Sequence, residues 1–209
     1  MNIFKPTLAL LALLISGNSA FAQSTDNWGI GLRLGDPSGL TVKRYFGMQA
    51  LELNVGRTHM WNRRGWYDNR FDNWYDGKDY NYSEFRYVGY KASAPISVQL
   101  HMLFHNKIGN KGSQDLSGLQ WYYGVGGQVR TQRYYYDYQY KMDGNNGWHD
   151  GRGEYVTDLD LGVDGVLGLE YKFKKAPVAL FTDATLFMEM ADDPFVFWMQ
   201  GGLGVRYNF

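Results

Sequence analysis

The sequence predicts an all-β fold, an eight-stranded antiparallel up-and-down transmembrane β-barrel, on three observations. First, segments 96–104, 119–129, 161–173, 178–190 and 197–209 alternate with period two, and taking every second residue gives a face with no charged position. The complementary face gathers Gln99, His101, Gln120, Gln128, Asp164, Glu170, Lys172, Asp183, Glu189 and Arg206 among small residues such as Gly124, Gly126, Gly168 and Gly202. Second, residues 1–22 read as an export signal. Third, the closing stretch GGLGVRYNF holds the alternation as far as Phe209, where a soluble domain usually trails off in polar residues. A soluble sheet turns its apolar face into a core, whereas an outer-membrane barrel turns it to lipid and fills the lumen with the polar side.

Composition narrows the class further. A chain of 209 residues suits one domain. With 21 basic and 21 acidic residues it lacks the electrostatic footprint of a nucleic-acid partner. Aromatics at 17%, 26 Gly and only 5 Pro suit short strands and turns. With no cysteine there is no disulfide, no thiolate zinc site and no lipid-modified cysteine. The leader has Lys5, an apolar run from Leu8 to Ile15, and small residues at Ala20 and Ala22. That run is far short of the roughly 20 residues of a spanning helix, so cleavage after Ala22 is expected, leaving a barrel over 23–209.

The strands follow in order. NWGIGLRLG sets Trp28, Ile30, Leu32 and Leu34 against Arg33; GDPSG turns; LTVKRYF returns; QALELNVG sets Leu51, Leu53 and Val55 against Glu52 and Asn54. With the five later segments this makes eight strands, and an even number puts both termini on the periplasmic side. Arg44 shares the outward parity of Leu40 and Val42 and has to snorkel to an interface. At the periplasmic ends, Trp28, Phe46, Phe104, Trp121, Tyr171, Phe173 and Phe209 all have outward parity, as an aromatic girdle requires. Alternation also continues through EFRYVGYK (84–91) and TQRYYYDYQYK (131–141), extending the fourth strand to 84–104 and the fifth to 119–140. A spanning strand needs about 9 to 11 residues, so the surplus predicts a two-sided ribbon rising on the order of 30 Å above the outer leaflet. Pro95 marks a bend, and the ribbon's unpaired edge could accept a partner strand.

The blocks GLRLGDPSGLTVKRYF, LQWYYGVGGQV, GVDGVLGLEYKF and GGLGVRYNF resemble the small outer-membrane β-barrel proteins common in Bacteroidota, in the broader OmpA/OmpX-like eight-stranded class. The resemblance covers nearly all of the mature chain except 58–83 and 141–155, which become long extracellular loops. It implies a Gram-negative outer-membrane location, contact with outer-membrane lipid and recognition of the C-terminal strand by the barrel-insertion machinery. It implies no fixed activity.

An eight-stranded lumen is only wide enough for side chains. By parity it receives Arg33, Lys43, Arg130, Lys172 and Arg206 against Glu52, Asp160, Asp164, Glu170, Asp183 and Glu189, a nearly balanced set that has to pair. A structural polar plug is the plain reading, and a narrow pore for small solutes or ions is its alternative. Outside, the segment 58–83 is dense in Trp, Tyr, Asn, Asp and Arg, the residues of recognition surfaces. Trp61, Trp66, Tyr67, Trp74 and Tyr75 are the candidate surface-binding residues, with a surface protein or glycan as ligand.

No catalytic, cofactor or metal site is read from the chain. His101 and His105 lie about 13 Å apart on a strand, too far for one ion. Asp143, Asn145 and Glu154 fall at calcium-loop positions, but Gly147 and Trp148 occupy the places of a ligand and the turn glycine. A lipid-modifying enzyme, the remaining alternative, lacks an evident serine, histidine and carboxylate set near His59 or His149. The expectation is a monomeric, non-enzymatic barrel that is structural or surface-binding.

Overall fold

The computed structural model describes residues 27–59, 64–78, 80, 84–108, 117–142, 144, 147–191 and 195–209. The expected leader, 1–22, lies outside them. Its elements are β1 (Trp28–Gly35), β2 (Ser38–Phe46), β3 (Gln49–Arg57), α1 (Arg64–Asp76), β4 (Glu84–Ala92), β5 (Ile96–Lys107), β6 (Leu119–Lys141), β7 (His149–Arg152), β8 (Val156–Lys172), β9 (Val178–Glu189) and β10 (Phe197–Asn208).

Eight of the strands close a barrel in the order β1-β2-β3-β5-β6-β8-β9-β10, and every neighbouring pair is antiparallel. β1 meets β10 from Gly29↔Asn208 to Gly35↔Gly202. The Trp28 amide donates to the Phe209 carbonyl at 3.1 Å, and the Phe209 amide to Trp28 at 2.9 Å, so no sheet edge is left at the seam. The turn between β2 and β3 is two residues long, with Gly47 at φ 69°, where a side chain would be strained.

Parity decides which side faces out. Ile30, Leu32, Leu34, Leu40, Leu53, Val98, Leu100, Val125, Leu167, Leu180, Leu203 and Val205 are exposed on the outer wall. Arg33, Lys43, Glu52, Gln99, His101, Gln128, Asp164, Glu170 and Arg206 are buried inside. The polarity is therefore the reverse of a soluble barrel's.

The girdle residues lie at one end of this wall. Register links Trp28 to Arg44, Phe46 to Gln49, Gln49 to Phe104, Asn106 to Trp121, and Leu119 to Tyr171. The Phe173 amide donates to Val178, and Val178 pairs with Tyr207 two residues before Phe209. Arg44, awkward by parity, lies on this ring with its guanidinium 5.1 Å from the Trp28 ring and 4.8 Å from the Phe46 ring.

Two expectations are corrected. The fourth strand does not run unbroken over 84–104: it stops at Ala92 and resumes at Ile96, because Pro95 has no amide to give the ladder. Gln132 and Arg133 of β6 stitch this gap to Ser93. Nor is the projecting part a bare two-stranded ribbon. β6 carries β4 on one side and β7 on the other, and α1 covers the inward-facing side of this sheet. The segments 58–83 and 141–155 therefore hold a helix and a strand as well as loop.

Interior glycines make room for particular neighbours. A Cβ on Gly168 would stand 2.4 Å from the Tyr122 ring, and one on Gly202 2.3 Å from the Arg33 guanidinium. Gly168→Val should therefore destabilise the barrel by about 1–3 kcal/mol. In equilibrium urea unfolding, combining it with Tyr122→Ala should give a loss well below the sum of the two single losses, because the second change removes the collision.

Candidate functional site

Two regions concentrate chemistry: the lumen and the sheet above it. In the lumen four charged side chains from four strands form a closed quartet. Lys43 Nζ lies 2.9 Å from Glu170 Oε2 and 3.4 Å from Glu52 Oε2. Arg206 bridges the same two carboxylates, Nη2 to Glu52 at 2.6 Å and Nη1 to Glu170 at 3.1 Å. All four side chains are at most 1% exposed. Neighbouring groups take up the remaining valences: Tyr45 Oη donates to Glu170 at 3.0 Å, Asn54 Nδ2 to Glu52 at 3.0 Å, and Arg206 Nε to Thr41 at 3.1 Å. Two cations against two anions leave the quartet neutral, which lets it stay in a dry, narrow space.

Further pairs extend the network. Arg33 Nη1 meets Asp183 at 2.5 Å, and Tyr122 Oη donates to the same oxygen at 3.3 Å. His101 Nε2 lies 2.9 Å from Asp164. Arg130 lies 2.9 Å from Asp160 and 3.7 Å from Glu189. Lys172, half-buried, sits 3.8 Å from Glu170 with its ammonium 3.5 Å from the Tyr45 ring. A chain of amides crosses the lumen: Gln99 Nε2 donates to Gln200 at 3.0 Å and to Gln128 at 3.2 Å, and Gln128 donates to Ser97 at 2.7 Å. The side chains thus cross the bore with ion pairs and hydrogen bonds that link strands on opposite sides.

Each lumen residue read from the sequence lies on the inward face, and Lys172 alone among them is not buried. Parity identified the residues but not the partners. It also passed over Tyr45 and Tyr122 as network members, because a tyrosine on the polar face reads as filler, and it set Asn54 beside Glu52 without assigning it a partner.

Above the barrel a second core forms. On β6 the inward row changes from Gln128, Arg130 and Gln132 to Tyr134, Tyr136 and Tyr138. On α1, Tyr67, Phe71 and Tyr75 recur every four residues and face that row. Phe71 lies 5.3 Å from the Tyr136 ring, Tyr67 4.6 Å from Tyr134, and Tyr75 stacks on Phe85 at 3.7 Å. Tyr67 Oη donates to Gln132 at 2.6 Å and Tyr136 Oη to the Tyr67 carbonyl at 2.9 Å, satisfying both buried hydroxyls.

The surface-binding candidates divide accordingly. Tyr67 and Tyr75 are 2% and 5% exposed and serve this core, so they are not at the surface. Helix formation explains the difference, since it turns every fourth residue inward. Trp74 is half-buried against Tyr136, with rings 5.0 Å apart. Trp61 and the Trp66 side chain lie outside the described residues, as do Asp143 and Asn145. Among the described residues no group of three or more His, Asp, Glu or Cys is placed to hold a metal ion.

These features define a closed eight-stranded antiparallel β-barrel with a packed ionic lumen, an apolar outer wall and an aromatic canopy at one end. No protein-family model matches the chain, and no curated protein matches it either.

Arg206→Met would leave Glu52 and Glu170 facing each other with only Lys43 between them. A loss of about 3–5 kcal/mol is expected in urea unfolding, and adding Glu52→Gln should recover part of it by removing the surplus charge. The canopy has its own signature. Burial, with neighbouring Tyr134 adding to it, pushes the Tyr136 phenol above its ordinary value. Above about pH 10 an opened canopy releases a proton that the packed one keeps, so opening becomes easier as pH rises. Acrylamide quenching of Trp74, in a variant retaining that tryptophan alone, should increase above this pH, and Tyr136→Phe should flatten the increase.

Proposed function

We propose that the chain is a non-enzymatic β-barrel of a Gram-negative outer membrane, structural or surface-binding, with both termini periplasmic and its canopy outside the cell. The observation that carries this reading is the outer wall. Its apolar side chains stand exposed around the whole circumference, ringed at one end by Trp28, Phe46, Trp121, Phe173 and Phe209. Leaving a large aliphatic side chain in water rather than burying it costs about 1.5–3 kcal/mol, so the whole wall reaches tens of kcal/mol. A bilayer removes that cost, and soluble monomers rarely show contiguous apolar patches beyond a few hundred Å². The export-type leader of the sequence and the aromatic ring at one rim support the same reading.

The chain works as a monomer whose wall contacts outer-membrane lipid. Its C-terminal strand carries the pattern used by the barrel-insertion machinery, and any surface protein or glycan is met by the extracellular end. The filled lumen favours a plug over a pore.

Reconstituted in vesicles with brominated acyl chains, the protein should show tryptophan quenching that falls sharply in Trp28→Phe/Trp121→Phe. Undiminished quenching in that variant would remove the case for a lipid-embedded wall. In planar bilayers no stable single-channel steps are expected; steps of constant amplitude would refute the plug.

A further inference from the structure

The outward face of the sheet above the barrel is continuous with the apolar wall, and its polarity changes abruptly at one level. On β5, β6 and β8 the row Ile96–Thr131–Leu159 is the last outward one with aliphatic side chains, and register continues it to Arg57 on β3. The next outward positions are Arg133 beside Thr157, then Tyr135 beside Lys91 with Tyr155 against it, then Asp137 beside Arg152. Each row adds two residues, about 7 Å along the strand and less in height once strands tilt. The three rows therefore span roughly the first 15 Å above the apolar wall, the depth of a headgroup layer rather than of open solvent.

We propose that this strip binds the headgroup of a phosphorylated glycolipid in the outer leaflet. The inference rests on the membrane reading above and deepens it. Charge is the first argument: within these three rows, among the described residues, Arg133, Lys91 and Arg152 face outward against one carboxylate, Asp137, leaving a surplus of positive charge. Asp137 holds two of the cations in place, Arg152 Nε at 3.2 Å and Lys91 Nζ at 3.6 Å, while about two-thirds of each cation's side chain remains exposed. Arginine forks of this kind suit phosphate.

The aromatic rings are the second argument. Tyr155 is 70% exposed, packs edge-on to Tyr135 at 5.0 Å, and Tyr135 in turn lies under the Arg152 guanidinium at 4.9 Å. An exposed ring between cations offers an apolar face to the C–H side of a sugar and a hydroxyl to its rim. A phosphate bound to glycerol would use the cations alone. A phosphorylated sugar uses both, so the strip's composition favours the glycolipid.

The test uses the full mature barrel in nanodiscs of phosphatidylcholine containing one probe lipid at a few mole per cent. The probes are a diphosphorylated glucosamine-disaccharide glycolipid, its dephosphorylated form, and phosphatidylglycerol. After detergent extraction, retained lipid is counted by native mass spectrometry. The diphosphorylated probe should be retained about tenfold over either other lipid, the ratio that one charge-assisted contact supports. The variant Lys91→Gln/Arg133→Gln/Arg152→Gln should lose that preference. Equal retention of the three probes by the unaltered protein overturns the proposal, as does retention unchanged in the variant. The probe comparison needs no substitution, so a variant that fails to fold leaves the proposal exposed to refutation. A chain that shows no brominated-lipid quenching refutes the membrane reading itself, whereas normal quenching without probe preference refutes this inference alone.

Discussion

The quartet of Lys43, Glu52, Glu170 and Arg206 is the interaction on which the rest of the barrel depends. It ties β2, β3, β8 and β10 together across the bore with groups that have no access to water. In an ordinary domain an apolar core drives closure, but here most apolar side chains point outward, and the few that point in, among them Leu103, Val166, Phe181 and Phe187, share the bore with the polar groups. The walls meet largely through charge and hydrogen bonding, which act over short distances and demand accurate placement. The glycines opposite Tyr122, Arg33 and Phe181 follow from the narrowness of the bore, which accommodates large side chains only if their neighbours have none.

β6 shows how one strand serves two environments. Its inward row is ionic and amide-rich where it lines the barrel, then aromatic where α1 covers it, and its outward row makes the opposite change from apolar to charged. The two halves are inverted relative to each other because their surroundings are. Within the barrel the inward face meets other polar side chains. Above it the inward face is aromatic and buried, and a helix supplies the matching face. Tyrosine suits this position because each buried ring carries a hydroxyl that can be directed to a partner, as Tyr67 and Tyr136 do.

Strand number, facing and closure were legible in the sequence because period two leaves little choice: a residue points in or out, and a shift of one would have exposed Glu52 or Arg206 on the wall. The pairing inside was not legible. Whether Arg206 meets Glu52 or Asp183 depends on barrel stagger and on long flexible side chains, and alternation encodes neither. The helix was missed for another reason. Its signal, Tyr67, Phe71 and Tyr75 at four-residue spacing, is interrupted by Asp68, Asn69, Asp72 and Asn73, which compete locally for backbone hydrogen bonds and read as loop. Pro95 did mark the break after β4, but the short β7 has too few residues for any period to register.

The positions of the two breaks matter mechanically. β4 gives way to β5 over residues 93–95, opposite Gln132 and Arg133, and β7 to β8 over 153–155, opposite Tyr135 and Tyr136, so the breaks are staggered and β6 keeps a partner strand on one side at each. A sideways force applied to the canopy is therefore shared between β6 and one neighbour at each break, β8 at the lower and β4 at the upper, with Gly153 donating to Tyr136 at 2.8 Å and Ser93 to Arg133 at 2.7 Å. Bending is easier there than anywhere below, where every strand has two partners. Yet because no level is broken on both sides of β6, the canopy stays braced to the ring of strands beneath it.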